Sequence, residues 1–200
     1  LMRVLLTGAT GYIGRRLMYR LAENGEIELR LFVRNAKKID DDIRPRVEIF
    51  EGDTFNLDEL RDALSGVDVA YYLVHSMGSL KDFERLDRMS ATNFRDAAIE
   101  CGVKRIIYLG GLGDKERASR HLKSRIETGE ILSAFPENIQ TIWFRAGIII
   151  GSGSASFEII SGLVIKLPVL ASPRFIKNKT LPIGITDVLL YLDSARTLEC

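Results

Sequence analysis

Two periods of apolar and polar residues alternate along the chain. Short, nearly unbroken apolar runs at residues 3–7, 28–33, 47–50, 69–74, 105–109 and 141–146 predict strands covered on both faces, as in a parallel sheet. Between them, residues 11–24, 57–64, 81–100 and 115–135 read as amphipathic helices. Asn24-Gly25, Ser65-Gly66 and Cys101-Gly102 put a glycine where three of those helices stop. Strands and helices taking turns predict right-handed β-α-β crossovers, hence an α/β fold built on a doubly wound parallel sheet. After Ala146 the rhythm changes. Residues 147–153 are glycine-rich, 157–166 and 185–198 read as helices, and Pro168, Pro173 and Pro182 punctuate the stretch between. Residues 151–200 are therefore expected to form a small C-terminal extension on the substrate side of a core made by residues 1–150.

Composition narrows the class. The chain has 200 residues, enough for one domain with a sizeable core, and 46% of them are hydrophobic, which excludes a disordered chain. With 28 Lys+Arg against 27 Asp+Glu the net charge is +1, without the basic excess of a nucleic-acid binder. The two cysteines, Cys101 and Cys200, belong to no Cys/His cluster with metal-ligand spacing, so no metal site is expected. Arg145, Lys166 and Pro168 interrupt the longest apolar stretches well before the ~20 residues of a membrane span, so no integral membrane segment is expected. The apolar N-terminus turns straight into glycines and reads as a strand, not a signal peptide, which makes the cytoplasm the expected compartment.

The most informative segment is Gly8-Ala9-Thr10-Gly11-Tyr12-Ile13-Gly14, a GxxGxxG loop between the first strand and the first helix. Gly8 permits a tight turn, Gly11 lets backbone approach a pyrophosphate at the helix N-terminus, and Gly14 lets the helix pack on the strand. That is the phosphate loop of a Rossmann-type dinucleotide site. At the end of the second strand an acid would select NAD, whereas arginine accommodates the 2′-phosphate of NADP. The chain has Arg34 there, with Lys37 and Lys38 behind it, so NADP is expected over NAD, and Arg15 is a candidate second cation. A solvated loop cation is the plainer account of Arg34.

TGATGYIG, VRN and EGDTFN, and then AYYLVHSMG, RIIYLGGLGD and IIIGSGSASFE, resemble the atypical and extended short-chain dehydrogenase/reductases, and among them an NmrA-like NAD(P)-binding group. The resemblance covers nearly the whole chain. It implies that Asp53 and Thr54 flank the adenine and that Val74, His75 and Ser76 run along the cofactor. It further implies that Arg145, Ala146, Gly147 and Ile148 approach the nicotinamide, with Gly110 on the same rim and residues 182–187 near the substrate cleft. Members of the group often continue further, so a truncated extension is expected, and a homodimer through the helices at 81–100 and 115–135 would suit the superfamily.

One departure matters. The superfamily's usual chemistry uses a Tyr-x-x-x-Lys pair on the helix after the fifth strand, and none of the six tyrosines has a lysine four residues on. His121 and Arg125 occupy those places, and Gly110-Gly111 stands where a hydroxyl residue is usual. In one reading His121 is a substituted general acid, Arg125 binds ribose hydroxyls, and Ser76 supplies the missing hydroxyl. In the other, Arg117, Arg120, His121, Lys123 and Arg125 are a basic helix facing water or an anionic partner. Two functions stay open: an NADP-dependent oxidoreductase acting on a small, apolar carbonyl or alcohol, and an NmrA-like sensing or structural module that binds NADP and passes the signal to a partner protein.

Overall fold

The computed structural model describes residues 1–74, 82–166 and 181–199. Six strands, β1 (Met2–Thr7), β2 (Ile27–Val33), β3 (Glu48–Glu51), β4 (Val69–Tyr72), β5 (Arg105–Gly111) and β6 (Gln140–Ala146), form one parallel sheet in the order β3-β2-β1-β4-β5-β6. Each lies within two residues of its apolar run. Neighbouring strand residues explain why the runs are continuous. Val4 and Leu6 face one core and Leu5 faces the other, and all three are fully buried.

Helices α1 (Tyr12–Ala22) and α6 (Ile185–Ser194) cover the first face, where Leu17, Met18 and Leu21 meet Val188 and Leu192. Helices α2 (Leu57–Leu64), α3 (Phe83–Glu100) and α4 (Arg120–Leu132) cover the second, around Leu60, Phe94, Ala97 and Leu132. The fold is thus the doubly wound α/β sheet that the pattern predicts, and its strand order reverses between β1 and β4. Helix α4 is shorter than the sequence suggests. Ser119 accepts from the Leu122 amide at 3.3 Å and starts the helix there, five residues later than the pattern predicts. Helix α6 likewise stops at Ser194 instead of continuing to 198. Helix α5 (Ala155–Lys166) follows the glycine-rich stretch, and a two-stranded parallel ribbon, β7 (Ile149–Ile150) with β8 (Ile183–Gly184), was not visible in the pattern at all.

Two buried polar groups fix the frame. Thr7 donates to the Tyr71 carbonyl at 2.9 Å and accepts from the Leu73 amide at 3.1 Å, which ties the carboxyl ends of β1 and β4 together. Arg30, 8% exposed inside an apolar run, pairs with Glu48 at 2.8 Å and donates to the Ala63 and Ser65 carbonyls at the end of α2, where helical acceptors lack partners.

At the sheet's far side Trp143 lies against β5 at Gly110 and against α4 at Gly129, whose missing side chains make its slot. In a helix Gly→Ala ordinarily gains about 1 kcal/mol, but here the added methyl would run into the indole, and overpacking costs about 1–3 kcal/mol. Gly129→Ala is therefore expected to lower the urea midpoint without changing the slope of the transition.

Candidate functional site

The turn from β1 into α1 has no room for side chains. Gly8 has φ +73° and lies against the Leu73 backbone, and a methyl group on Gly14 would meet the Gly8 carbonyl. The Gly11 amide closes the turn on the Gly8 carbonyl at 3.0 Å, and Gly11 caps α1 without a side-chain hydrogen bond. The next amides, of Tyr12, Ile13 and Gly14, have no intrahelical acceptor, and the first turn carries no acid. Backbone donors and the positive end of the helix dipole therefore open onto the carboxyl edge of the sheet.

A cleft of about 470 Å³ lies there. It brings together Gly8, Thr10, Gly11, Tyr12, Ile13 and Gly14 of the loop with Arg34, Thr54, Val74 and Gly147, and with His121 and Arg125 of α4. Other residues named from the sequence lie elsewhere. Ala9 is buried beneath the turn. Arg15 turns away to Asp40, at 2.8 Å. The Asp53 carboxylate accepts from the Phe55 amide at 3.1 Å, while the Asp53 amide donates to Glu59 at 2.9 Å. The space beside Gly110 holds Trp143, and the Ile148 carbonyl accepts from the Ile183 amide at 3.0 Å. Arg145 and Ala146 line a second cavity, and His75 and Ser76 lie outside the described residues. The cleft also takes in Phe32, Gly52, Leu109, Ile149 and Ser154, none of them assigned a role from the sequence, although all but Phe32 lie within the motifs quoted above.

The wall at Thr54 is fixed from behind. Tyr72, Ser90 and Thr54 form a hydroxyl chain with 2.7 Å at each step, and Asn93 donates to the Thr54 carbonyl at 3.0 Å. Ser90 donates to Thr54, so the Thr54 hydroxyl keeps its own proton to give. Beside the loop is a smaller polar pocket lined by Thr10, Arg34, Asn35 and Lys38. Its backbone is anchored: Asn35 accepts from the Lys37 amide at 2.9 Å and the Ala36 amide donates to Glu51 at 2.7 Å. Among the described residues neither Arg34 nor Lys38 has an acid within ion-pair distance.

Across the cleft, Leu122 fills the space beside Gly111 and Gly113, so this rim is packed rather than open. The Arg125 guanidinium donates to the Leu109 carbonyl, and the Tyr108 hydroxyl donates to the Arg125 carbonyl at 2.9 Å. His121 stands at the lip, its ring 6.3 Å from that of Phe83. Partial desolvation pushes its pKa below the usual histidine value, and the Arg125 charge adds to this, while Asp87 opposes both. Burial raises the phenol pKa values of Tyr71, Tyr72 and Tyr108, which suits packing rather than reaction. The second cavity, about 380 Å³, shares Leu109 and Gly147 with the cleft and is otherwise lined mostly by carbon, including Leu112, Phe144, Ile183 and Tyr191. No helix among the described residues is long and apolar enough to cross a membrane.

A family model described as NAD(P)H-binding matches residues 8–137. Over 117 residues the chain is 29% identical to sterol demethylase protein B of Methylococcus capsulatus, an alignment that takes in 56% of this chain and 35% of that protein. Among solved structures, a nucleoside-diphosphate-sugar epimerase from Staphylococcus aureus is 25% identical with a TM-score of 0.64, covering 74% of this chain and 51% of its own. The triphenylmethane reductase of Citrobacter sp., solved with NADP(H), is 24% identical with a TM-score of 0.64, covering 82% of this chain and 54% of its own. The chain thus spans about a third to a half of the length of these proteins.

In a proton NMR titration the His121 ring is expected to lose its proton below the ordinary histidine midpoint of ~6.5. Arg125→Gln should move that midpoint back up only part of the way, because desolvation is the larger cause.

Proposed function

The chain belongs to the NAD(P)H-binding family, and from that premise we propose that it is an NADP-dependent oxidoreductase of the atypical short-chain type, acting on a small apolar carbonyl or alcohol. One observation carries the proposal: the fold brings a titratable group, His121, into the same cleft as the glycine cradle.

The residues present fit the cofactor. A methyl group at Gly8 or Gly14 would close the cradle, and the buried Tyr12 hydroxyl that faces Gly151 has no hydrogen-bond partner among the described residues. The amides of Tyr12, Ile13 and Gly14 would hold the pyrophosphate. Arg34, Lys38 and Thr10 would hold the 2′-phosphate, since two cations without an acid partner, beside a hydroxyl, suit a dianion and repel nothing in it. Thr54 and Gly52 would line the adenine side. Arg125, held on the Leu109 carbonyl by part of its fork, keeps N–H donors for ribose hydroxyls. The bound cofactor supplies a hydride, and the protein supplies orientation and a proton.

His121 is the group that moves the proton. Its imidazolium donates to the carbonyl oxygen in reduction, and the neutral ring accepts from the alcohol in oxidation. The carbon-lined second cavity, joined to the cleft at Leu109 and Gly147, would take the substrate's apolar body. On this reading residues 1–150 bind the cofactor and 151–200 shape the substrate side. The missing Tyr-x-x-x-Lys pair is the observation that favours the other reading, a sensing module. Such a module would bind NADPH and NADP⁺ with unequal affinity and show no turnover.

Calorimetric titration is expected to show NADPH binding tightly and NADH weakly. Arg34→Ala should weaken NADPH about 10- to 100-fold, the worth of one or two charge-assisted hydrogen bonds, and leave NADH unchanged. Equal losses for the two cofactors would remove the 2′-phosphate assignment.

In a screen of apolar aldehydes and ketones, His121→Gln should abolish turnover and spare NADPH binding. Because the His121 midpoint is lowered, the imidazolium fraction is already falling at neutral pH. Carbonyl reduction is therefore expected to slow about tenfold per pH unit above that midpoint, while alcohol oxidation, which needs the neutral ring, rises up to the midpoint and levels off above it. Flat profiles in both directions would exclude His121 as the proton carrier.

A further inference from the structure

Tyr12 serves two neighbours. Its amide is one of the three that open onto the cradle, while its side chain meets the substrate-side extension. A methyl group on Gly151 would run into the Tyr12 hydroxyl and the Ile185 side chain, and the ring edge comes next to Gly153, which has φ +79°. One helical turn on, the Arg16 guanidinium lies over the Tyr12 ring, 4.0 Å from its centroid. It donates to the Tyr12 carbonyl at 3.0 Å and to the Ser152 carbonyl, 136 residues away, at 2.9 Å. Ring and cation thus grip residues 151–153 from α1.

What they grip is a wall. The segment is closed on itself: the Ser154 hydroxyl donates to the Ile149 carbonyl at 2.8 Å and the Ser154 amide to the Gly151 carbonyl at 3.0 Å. Ile149 and Ser154 line the cleft, and Ile183, paired with Ile149 in the ribbon, lines the second cavity. A shift of this segment against α1 therefore changes the spacing between the cradle and the second cavity. The extension has a separate anchor further along α1, where Arg20 pairs with Asp193 at 2.8 Å and Leu17 packs with Val188. The grip of Tyr12 and Arg16 starts instead from the first turn of α1, whose amides have no intrahelical acceptor and whose cap, Gly11, makes no side-chain bond. A helix end in that state opens easily, and an anion on its amides holds it closed.

We propose that the Tyr12 side chain and Arg16 are positioning residues: they clamp residues 149–154 to the first turn of α1, so that a pyrophosphate held on that turn also steadies the substrate wall. The coupling to a ligand rests on the reading of the glycine loop as a dinucleotide cradle, and the clamp itself does not.

Hydrogen–deuterium exchange, read peptide by peptide by mass spectrometry, tests both. In the wild-type protein NADPH is expected to slow exchange at residues 8–14 and also at 149–154. Arg16→Ala removes the bond to Ser152 and the cover of the ring. Without NADPH, residues 149–154 should then exchange about tenfold faster, the lower end of what one charge-assisted hydrogen bond is worth. Residues 185–194 should keep their rate, because Arg20 and Leu17 still hold α6. With NADPH, residues 8–14 should still be protected in this variant and 149–154 no longer. Unchanged exchange at 149–154 in Arg16→Ala overturns the proposal, and so does a wild-type segment that ignores NADPH while 8–14 is protected. An equal rise at 185–194 assigns Arg16 to general stability and overturns it too. If NADPH protects nothing, the cofactor reading fails, and the ligand-free comparison alone decides the clamp. Should Arg16→Ala fail to fold, Arg16→Lys, which keeps the charge but lacks the fork that spans both carbonyls, is judged by the same outcomes.

Discussion

The close approach of α1 to the turn before it governs the rest of the molecule. Gly14 rests on the Gly8 carbonyl and Gly8 on the Leu73 backbone, so the helix is pressed onto the carboxyl ends of β1 and β4 with nothing between. That contact aims three amides at one point and puts the point where the strand order reverses. Phe32 of β2, Arg34 just after it, Thr54 behind β3 and Arg125 near the start of α4 reach the cleft because those strands end, and that helix begins, at the same edge. The Thr7 bonds to β4 hold the floor flat beneath it.

Much of this was legible along the chain, for physical reasons. Strands covered on both faces must be apolar throughout, so the six runs announced the sheet, and glycines at 8 and 14 announced the helix contact because a side chain at either would meet backbone. The family likeness read from TGATGYIG and the later motifs agrees with the match over residues 8–137. The side of each cation was not legible. Arg15 and Arg34 look alike in sequence, yet Arg15 is captured by Asp40, 25 residues away, while Arg34 stays at the cleft. The space that Gly110, Gly111 and Gly113 leave is filled by Trp143 and Leu122, and such contacts between distant residues leave no local period. The ribbon of β7 and β8 has two residues per strand, too short for any alternation to register.

Charge is divided between the surface and the cleft. Most arginines that lie on helix exteriors, such as Arg61, Arg88 and Arg120, are held by nearby acids, where such pairs contribute little to stability. Arg34 and Lys38 have no such partner among the described residues, and they are fixed in place by the backbone bonds of Asn35 and Ala36 instead. A cation held by its backbone and left without an acid keeps its full field for a ligand.

The floor under Gly8 has a consequence for how the protein comes into being. Thr7 and Leu73, the residues that meet there, are 66 positions apart. During synthesis the glycine turn leaves the ribosome well before the strand end it leans on. A nascent chain that ends between the two therefore carries the whole glycine sequence and no finished cradle. A dinucleotide has nothing to grip until β4 has docked, so the free energy of binding falls entirely on the assembled sheet and none of it rescues an early intermediate.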